Sequence, residues 1–304
     1  MIRYAYVDLA ALEALVDAEV PAWRAQAAAR TNQLKALGRY EDGAPSWSDI
    51  KPIYMRLQAH KCIFCERPLG GEVAGKIEQD VEHFRPKNEV KPWPKKKRKK
   101  DPDPYPFSTG PTGAGYYWLA YDLQNYAAAC KPCNSTRKSN AFPIAASARG
   151  AGADDVVTLN QSEQPLLIFP LGTIDDDPEN LIEFDGILAR PKHEDGHAYR
   201  RALITIDFFG LNVREELWED RFRVIRSLWH AYQTLQLSND PDQKAAADRS
   251  IQRDTADSGP QASCARSFLK LIHTNPERAW EAYLLAEEFH KAPPPKKARR
   301  KRGE

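Results

Sequence analysis

Two C-x-x-C pairs, Cys62/Cys65 and Cys130/Cys133, constrain this chain more than any other feature. Zinc favours soft thiolates in a tetrahedron, and two such hairpins supply the four ligands of a structural site. The gap between the pairs is long for a simple zinc ribbon, so it should hold a functional element. A thioredoxin-like redox role fails on context, because neither pair follows a clear strand and opens a helix in a βαβ unit. The fifth cysteine, Cys264, sits in a helical pattern (ASCARSFLKLI) and reads as an inert buried thiol.

Several classes fall away on composition. At 304 residues the chain has room for one large domain or two modest ones. No stretch approaches the roughly 20 apolar residues of a membrane span. The N-terminal stretch lacks the basic, apolar and small-residue segments of a signal peptide. A cytoplasmic location is therefore expected, and there paired cysteines suit metal thiolates better than disulfides. The net charge is only +2, but the cations are clustered: Lys91–Lys100 reads KPWPKKKRKK and Lys296–Arg302 reads KKARRKR. Such blocks attract polyanions. Lys95, Lys96, Lys97 and Arg98 are candidates to lie along a nucleic acid backbone, with Trp93 beside them to stack on a base. The competing reading of both blocks is a solvated loop or tail.

Periodicity places the elements. Asp8 caps a helix through Leu12 and Val16, and a second helix runs from Trp23 to a stop at Gly38. Ser46 or Ser48 caps a short helix through Ile53 and Leu57. A short strand is expected within residues 77–84, with Val81 and His83 on one face and Glu82 on the other. Residues 86–115 are rich in Pro, Lys and Gly and read as a basic insertion or flexible loop. Short strands are expected at 156–159, 166–169, 181–184 and 187–188. From about residue 198 the chain reads as helical, with 239–262 polar enough for a loop. The fold class is α+β, divided as 1–58 (helical), 59–145 (metal-bearing core), 146–290 (mainly helical) and 291–304 (basic tail).

Inside the core the residue types suit hydrolysis. A histidine free of the zinc, His83, can act as general base on water. Glu82 beside it and the amide oxygen of Asn134 are hard ligands suited to Mg²⁺ or Mn²⁺, and Asp80 is a rival on the same strand face as Glu82. A base for water and a cation for phosphate are what phosphodiester cleavage needs. Arg85, Lys87 and Lys138 are candidate phosphate contacts.

These residues resemble the HNH (ββα-metal) nuclease superfamily: Cys62-x-x-Cys65, Glu82-His83, Asn125, then Cys130-x-x-Cys133-Asn134 and Lys138. More narrowly, E-H-F-R-P-K, W-L-A-Y-D-x-x-N and A-C-x-x-C-N-x-x-x-K-x-N-x-F-P-I look like the HNH proteins of Septu-type and retron-associated antiphage systems. The specific likeness covers about residues 60–145. It implies a zinc-stapled ββα core, His83 as general base, Glu82 and Asn134 on the catalytic divalent ion, and Asn125 as a brace between the strands. It departs from the wider pattern in having Glu rather than Asp before the base, and Asn rather than His as the last residue. It also implies an ABC/SMC-like ATPase partner. The expected function is metal-dependent endonuclease action on nucleic acid, DNA favoured. The alternatives are an HNH ribonuclease acting on RNA such as tRNA, and a non-catalytic zinc-stabilised module that binds nucleic acid or a partner.

Overall fold

The computed structural model describes residues 1–4, 8–70, 80–95, 102–152 and 154–291. They form two compact units, one of Met1–Ile182 with Arg190–Phe209, the other of Glu183–Ala189 with the chain from Gly210 onward. Lys96, Lys97, Arg98 and the KKARRKR tail lie outside the described residues.

The first unit begins with α1 (Leu9–Glu19), whose first turn is closed by Asp8 accepting from the Ala11 N–H at 2.8 Å. Next comes α2 (Trp23–Leu37), which ends where Gly38 adopts a left-handed φ of 67° and its N–H reaches the Leu34 carbonyl. A short 3₁₀ turn at Trp47–Asp49 leads into α3 (Lys51–Leu57). Strand β1 (Asp80–His83) pairs antiparallel with β2 (Tyr126–Ala129), setting Glu82 opposite Ala127 and His83 opposite Tyr126. A helical segment of π geometry, α4 (Pro132–Lys138), follows at once. The chain thus runs strand, strand, helix, with the two cysteine pairs just before β1 and at the β2–α4 junction. The unit is completed by α5 (Val156–Glu163), α6 (Pro178–Leu181) and α7 (Gly196–Phe209).

Two expected strands are absent. Residues 156–159 form the first turn of α5, where Asp155 accepts from the Thr158 N–H and the buried residues Val156 and Leu159 are spaced for a helix. Residues 166–169 are all buried yet make no ladder. Their backbone is satisfied one group at a time: Leu166 N–H reaches Pro143 O, Arg201 donates to Leu167 O, and Phe169 N–H reaches Asp175. An apolar run of this length fits a buried irregular segment as well as a strand, and periodicity does not separate them. Because α7 closes over this segment, the first unit runs past the expected boundary at 145.

The described residues of the 86–115 stretch pack more than its composition suggests. Val90 is fully buried and bridges to Gly113, while Trp93 stacks on Tyr105 and packs against Phe208 of α7.

The second unit holds most of the hairpin of β3 (Ile182–Asp185) and β4 (Leu188–Pro191), followed by α8 (Glu215–Leu237), α9 (Pro241–Thr255), α10 (Ala262–Thr274) and α11 (Pro276–Lys291). Helix α9 lies where a loop was expected. Asp240 caps it and Pro241 takes its first position, but only Ala247 and Asp254 are buried, so almost no apolar stripe marks it. Arg221 is buried and donates to the carbonyls of Ile187 and Leu211, fixing the hairpin tip to α8. Cys264 is buried within α10.

Arg85 is the largest fully buried side chain. It pairs with buried Glu163, bonds Asn160 at 2.9 Å and lies between the rings of Tyr116 and Phe142. Glu163 also accepts from the Tyr116 hydroxyl and the Gly150 N–H. Arg85 is therefore a core cation rather than a phosphate contact. Removing one partner of such a pair strands the other charge. Arg85→Met is expected to lower stability in urea unfolding by about 3–5 kcal/mol, whereas Lys95→Met, at an exposed site, should change it by less than about 0.5 kcal/mol.

Candidate metal centre and catalytic cleft

The first cysteine hairpin is a tight knuckle. Cys62 N–H bonds Arg67 O, Glu66 N–H returns to Cys62 O, and Glu66 takes a left-handed φ of 58° to close the turn. At the second, the N–H groups of Cys133 and Asn134 both point at Cys130 O. The knuckles are stitched to β2 by Gln58, which accepts from Ala128 N–H and donates to Ala128 O and Lys61 O, and by Ile63 N–H to Ala128 O.

All four sulfurs lie within 4.8 Å of one another and all four residues are buried. Thiolates 2.3 Å from a tetrahedral zinc stand about 3.8 Å apart, and Cys65 Sγ lies 3.7 Å from Cys130 Sγ. Burial pushes the thiols of Cys62 and Cys133 up, while thiol hydrogen bonds from Cys133, Cys62 and Cys65 pull Cys130 down. The Cys130 thiolate is stabilised by its neighbours, and the buried thiols of Cys62 and Cys133 need a cation before they ionise. The donor set fits a structural metal, zinc by ligand chemistry. Such a metal would tie the 62–65 knuckle to the β2–α4 corner and take no part in chemistry on a substrate.

Next to this centre an open cleft of about 290 Å³ is lined by Trp47, Ser48, Lys51, Val81, His83, Lys87 and Asn134. The alternation of β1 points Val81 and His83 into it and turns Glu82 away. Glu82 is buried on the far face, its Oε1 2.5 Å from the Nζ of fully buried Lys138. Lys138 also donates to His83 O at 2.8 Å, so this ion pair fastens α4 to β1. Two expectations are corrected here. Lys138 is a core ion-pair partner with no access to phosphate. Glu82 does not share the cleft with Asn134, and the lining holds no carboxylate among the described residues. The Glu82–Asn134 pair therefore does not fit a catalytic Mg²⁺ or Mn²⁺, for which carboxylate oxygens are the main protein ligands. The rival ligand Asp80 pairs with Ala129 in the ladder, and its side chain lies outside the described ones.

His83 and Asn134 do meet at one cleft. His83 Nε2 lies 3.1 Å from Ala120 O. A carbonyl only accepts, so Nε2 carries the proton and Nδ1 keeps its lone pair. Burial, then the charge of Lys87, push the imidazole down to about 3, with Lys138 adding to this and the Ala120 carbonyl opposing it. The ring is neutral at physiological pH. Lys87 sits 3.5 Å from the centre of the Trp47 ring and 4.4 Å from that of Tyr40. Burial lowers it to about 8, against the pull of Asp42 and Glu82. Asn125 is buried away from the cleft. It accepts from Arg85 N–H and donates to Arg85 O and Leu119 O, which joins the end of β1 to the 119–125 turn. Lys95 is exposed.

Trp47, Ser48, Lys51 and the Ala120 carbonyl had no signal as site residues. The first three come from the 3₁₀ turn and the start of α3, outside the cysteine motifs, and the last is a backbone atom. No family model, curated protein or solved structure matches this chain.

Metal analysis of the purified protein is expected to find one zinc per chain. Cys130→Ser should lose it, and chelation of the wild type should lower the melting temperature by several degrees or more.

Proposed function

We propose that this protein is an endonuclease of the HNH type that hydrolyses phosphodiester bonds in nucleic acid, DNA before RNA. The observation that carries this reading is the shared cleft of His83 and Asn134, fixed beside a four-cysteine centre and lined, among the described residues, by Lys51 and Lys87 and by no carboxylate. A cleft of that charge suits an anion. In the proposed reaction His83 Nδ1 takes a proton from water, the water oxygen attacks phosphorus, and the bond to the leaving oxygen breaks. Lys87 faces the charge that develops on the phosphate, and the Asn134 amide orients it. The motif resemblance alone supports the wider reading, an antiphage effector directed by an ABC/SMC-like ATPase. A requirement for Mg²⁺ or Mn²⁺ belongs to that same resemblance and is decided by titrating each ion into the assay.

The test is incubation of the protein, with and without the ATPase, on plasmid and total RNA. His83→Ala is expected to keep binding and lose cleavage by about 10²–10⁴-fold. Cleavage that survives His83→Ala would falsify the assignment of the base, and binding with no cleavage under any condition would leave a binding module.

Lys87 gives a second readout. It is charged below about 8 and neutral above it. Nucleic acid affinity should therefore fall as pH rises through 8, and Lys87→Met should abolish that step. The same variant should flatten the salt dependence of binding by about one phosphate contact.

A further inference from the structure

The Ala120 carbonyl carries more hydrogen bonds than it has lone pairs. The imidazole of His83 reaches it at 3.1 Å, the indole N–H of Trp47 at 3.0 Å, and the Tyr126 hydroxyl also donates to it. A carbonyl oxygen has two lone pairs, so three donors share them. Burial pushes the Tyr126 phenol up, so it stays protonated and remains a donor.

The two aromatic donors also clamp the imidazole. The Trp47 ring stands at 89° to it with centroids 4.8 Å apart, and the Tyr126 ring at 88° and 5.0 Å. Tyr126 is the cross-strand partner of His83 and comes with the hairpin itself. Trp47 does not. It arrives from the 3₁₀ turn before α3, which is held by Trp23 Nε1 donating to Ser46 O at 2.8 Å and by Tyr121 stacked 5.5 Å from the Trp47 ring.

We infer that Trp47 is a positioning residue for His83: its ring blocks rotation of the imidazole and keeps Nε2–H on the Ala120 carbonyl, so that Nδ1 stays open to the cleft. The inference rests on the nuclease reading for its catalytic consequence, but the geometry of the imidazole is measurable without activity. A neutral imidazole has two tautomers and can flip about its χ2 axis. One of these four arrangements presents the lone pair to the cleft while satisfying the carbonyl. The carbonyl and Tyr126 alone leave one side of the ring unwalled.

The experiment uses the full chain labelled with ¹⁵N-histidine at neutral pH, with zinc content and circular dichroism as checks on folding. Wild type is expected to show His83 as one tautomer, protonated at Nε2. Trp47→Phe, which keeps the ring and drops the N–H, should retain that tautomer and most of the activity. Trp47→Leu and Trp47→Ala should give a tautomer mixture and a fall in kcat of roughly tenfold or more, with a smaller change in KM. Trp47→Leu preserves apolar volume and serves where Trp47→Ala does not fold. Lys87→Met controls for the cation lost from the Trp47 face, and should lower activity by removing its own phosphate contact without changing the tautomer. A single Nε2–H tautomer in Trp47→Leu, or a mixture in Lys87→Met equal to that in Trp47→Leu, overturns the inference. Absence of cleavage by every protein instead sinks the nuclease reading, and the tautomer ratio still decides the role of Trp47.

Discussion

Four sulfurs brought within 4.8 Å of one another are the constraint on which the hairpin and cleft depend. Strands of four residues paired only with each other are marginal in water. Here the β1–β2 hairpin is held at one end by the cysteine knuckles, stitched through Gln58 and Ile63, and on one face by the Glu82–Lys138 pair. The packed sulfurs cannot all ionise in a dry interior unless a cation balances them. A metal bound by these four sulfurs would therefore stabilise this corner.

Charge is sorted by the pleat of a single strand. Glu82 and His83 are neighbours in the chain, yet the carboxylate goes to a buried lysine and the imidazole goes to a cleft with two lysines on its wall. A carboxylate on the cleft side would raise the basicity of the imidazole and repel a phosphate. With it turned away, the imidazole is neutral and the described cleft wall carries two lysines. The cost is that the cleft holds few hard oxygen donors, which is where the expectation of a Glu82–Asn134 divalent site meets the geometry. Arg85 is a parallel case: two residues beyond His83 in sequence, it turns inward to Glu163 and its charge is spent in the core.

The cysteine centre was legible because four like residues at C-x-x-C spacing have few other uses. The caps at Asp8 and Asp240, and the glycine stop at Gly38, show how far local rules reach: two of these helix ends were readable, while α9 behind Asp240 was hidden by its polar composition. The runs at 156–159 and 166–169 read as strands, but β-branched and leucine-rich stretches also satisfy a helix turn, as where only Val156 and Leu159 of the first run are buried, or an irregular core segment, as in the second. Single cations are the least legible feature. Arg85, Lys87 and Lys138 look alike in sequence, and only burial separates two core ion pairs from one cleft residue.

By itself the sequence determined the donor chemistry: four thiols for a soft metal, a histidine, His83, between the two pairs, an amide at the head of a helix, and an α+β chain to carry them. These depend on residue type and short spacing, which survive any folding. Tertiary structure alone decided which side chains face the same space. It brought Trp47, Ser48 and Lys51 from the N-terminal segment to the cleft, put the Ala120 carbonyl against His83 and turned Glu82 to Lys138. Those outcomes follow from packing between residues distant in sequence, where the strand's alternation and the burial of each charge, rather than any local motif, set the geometry.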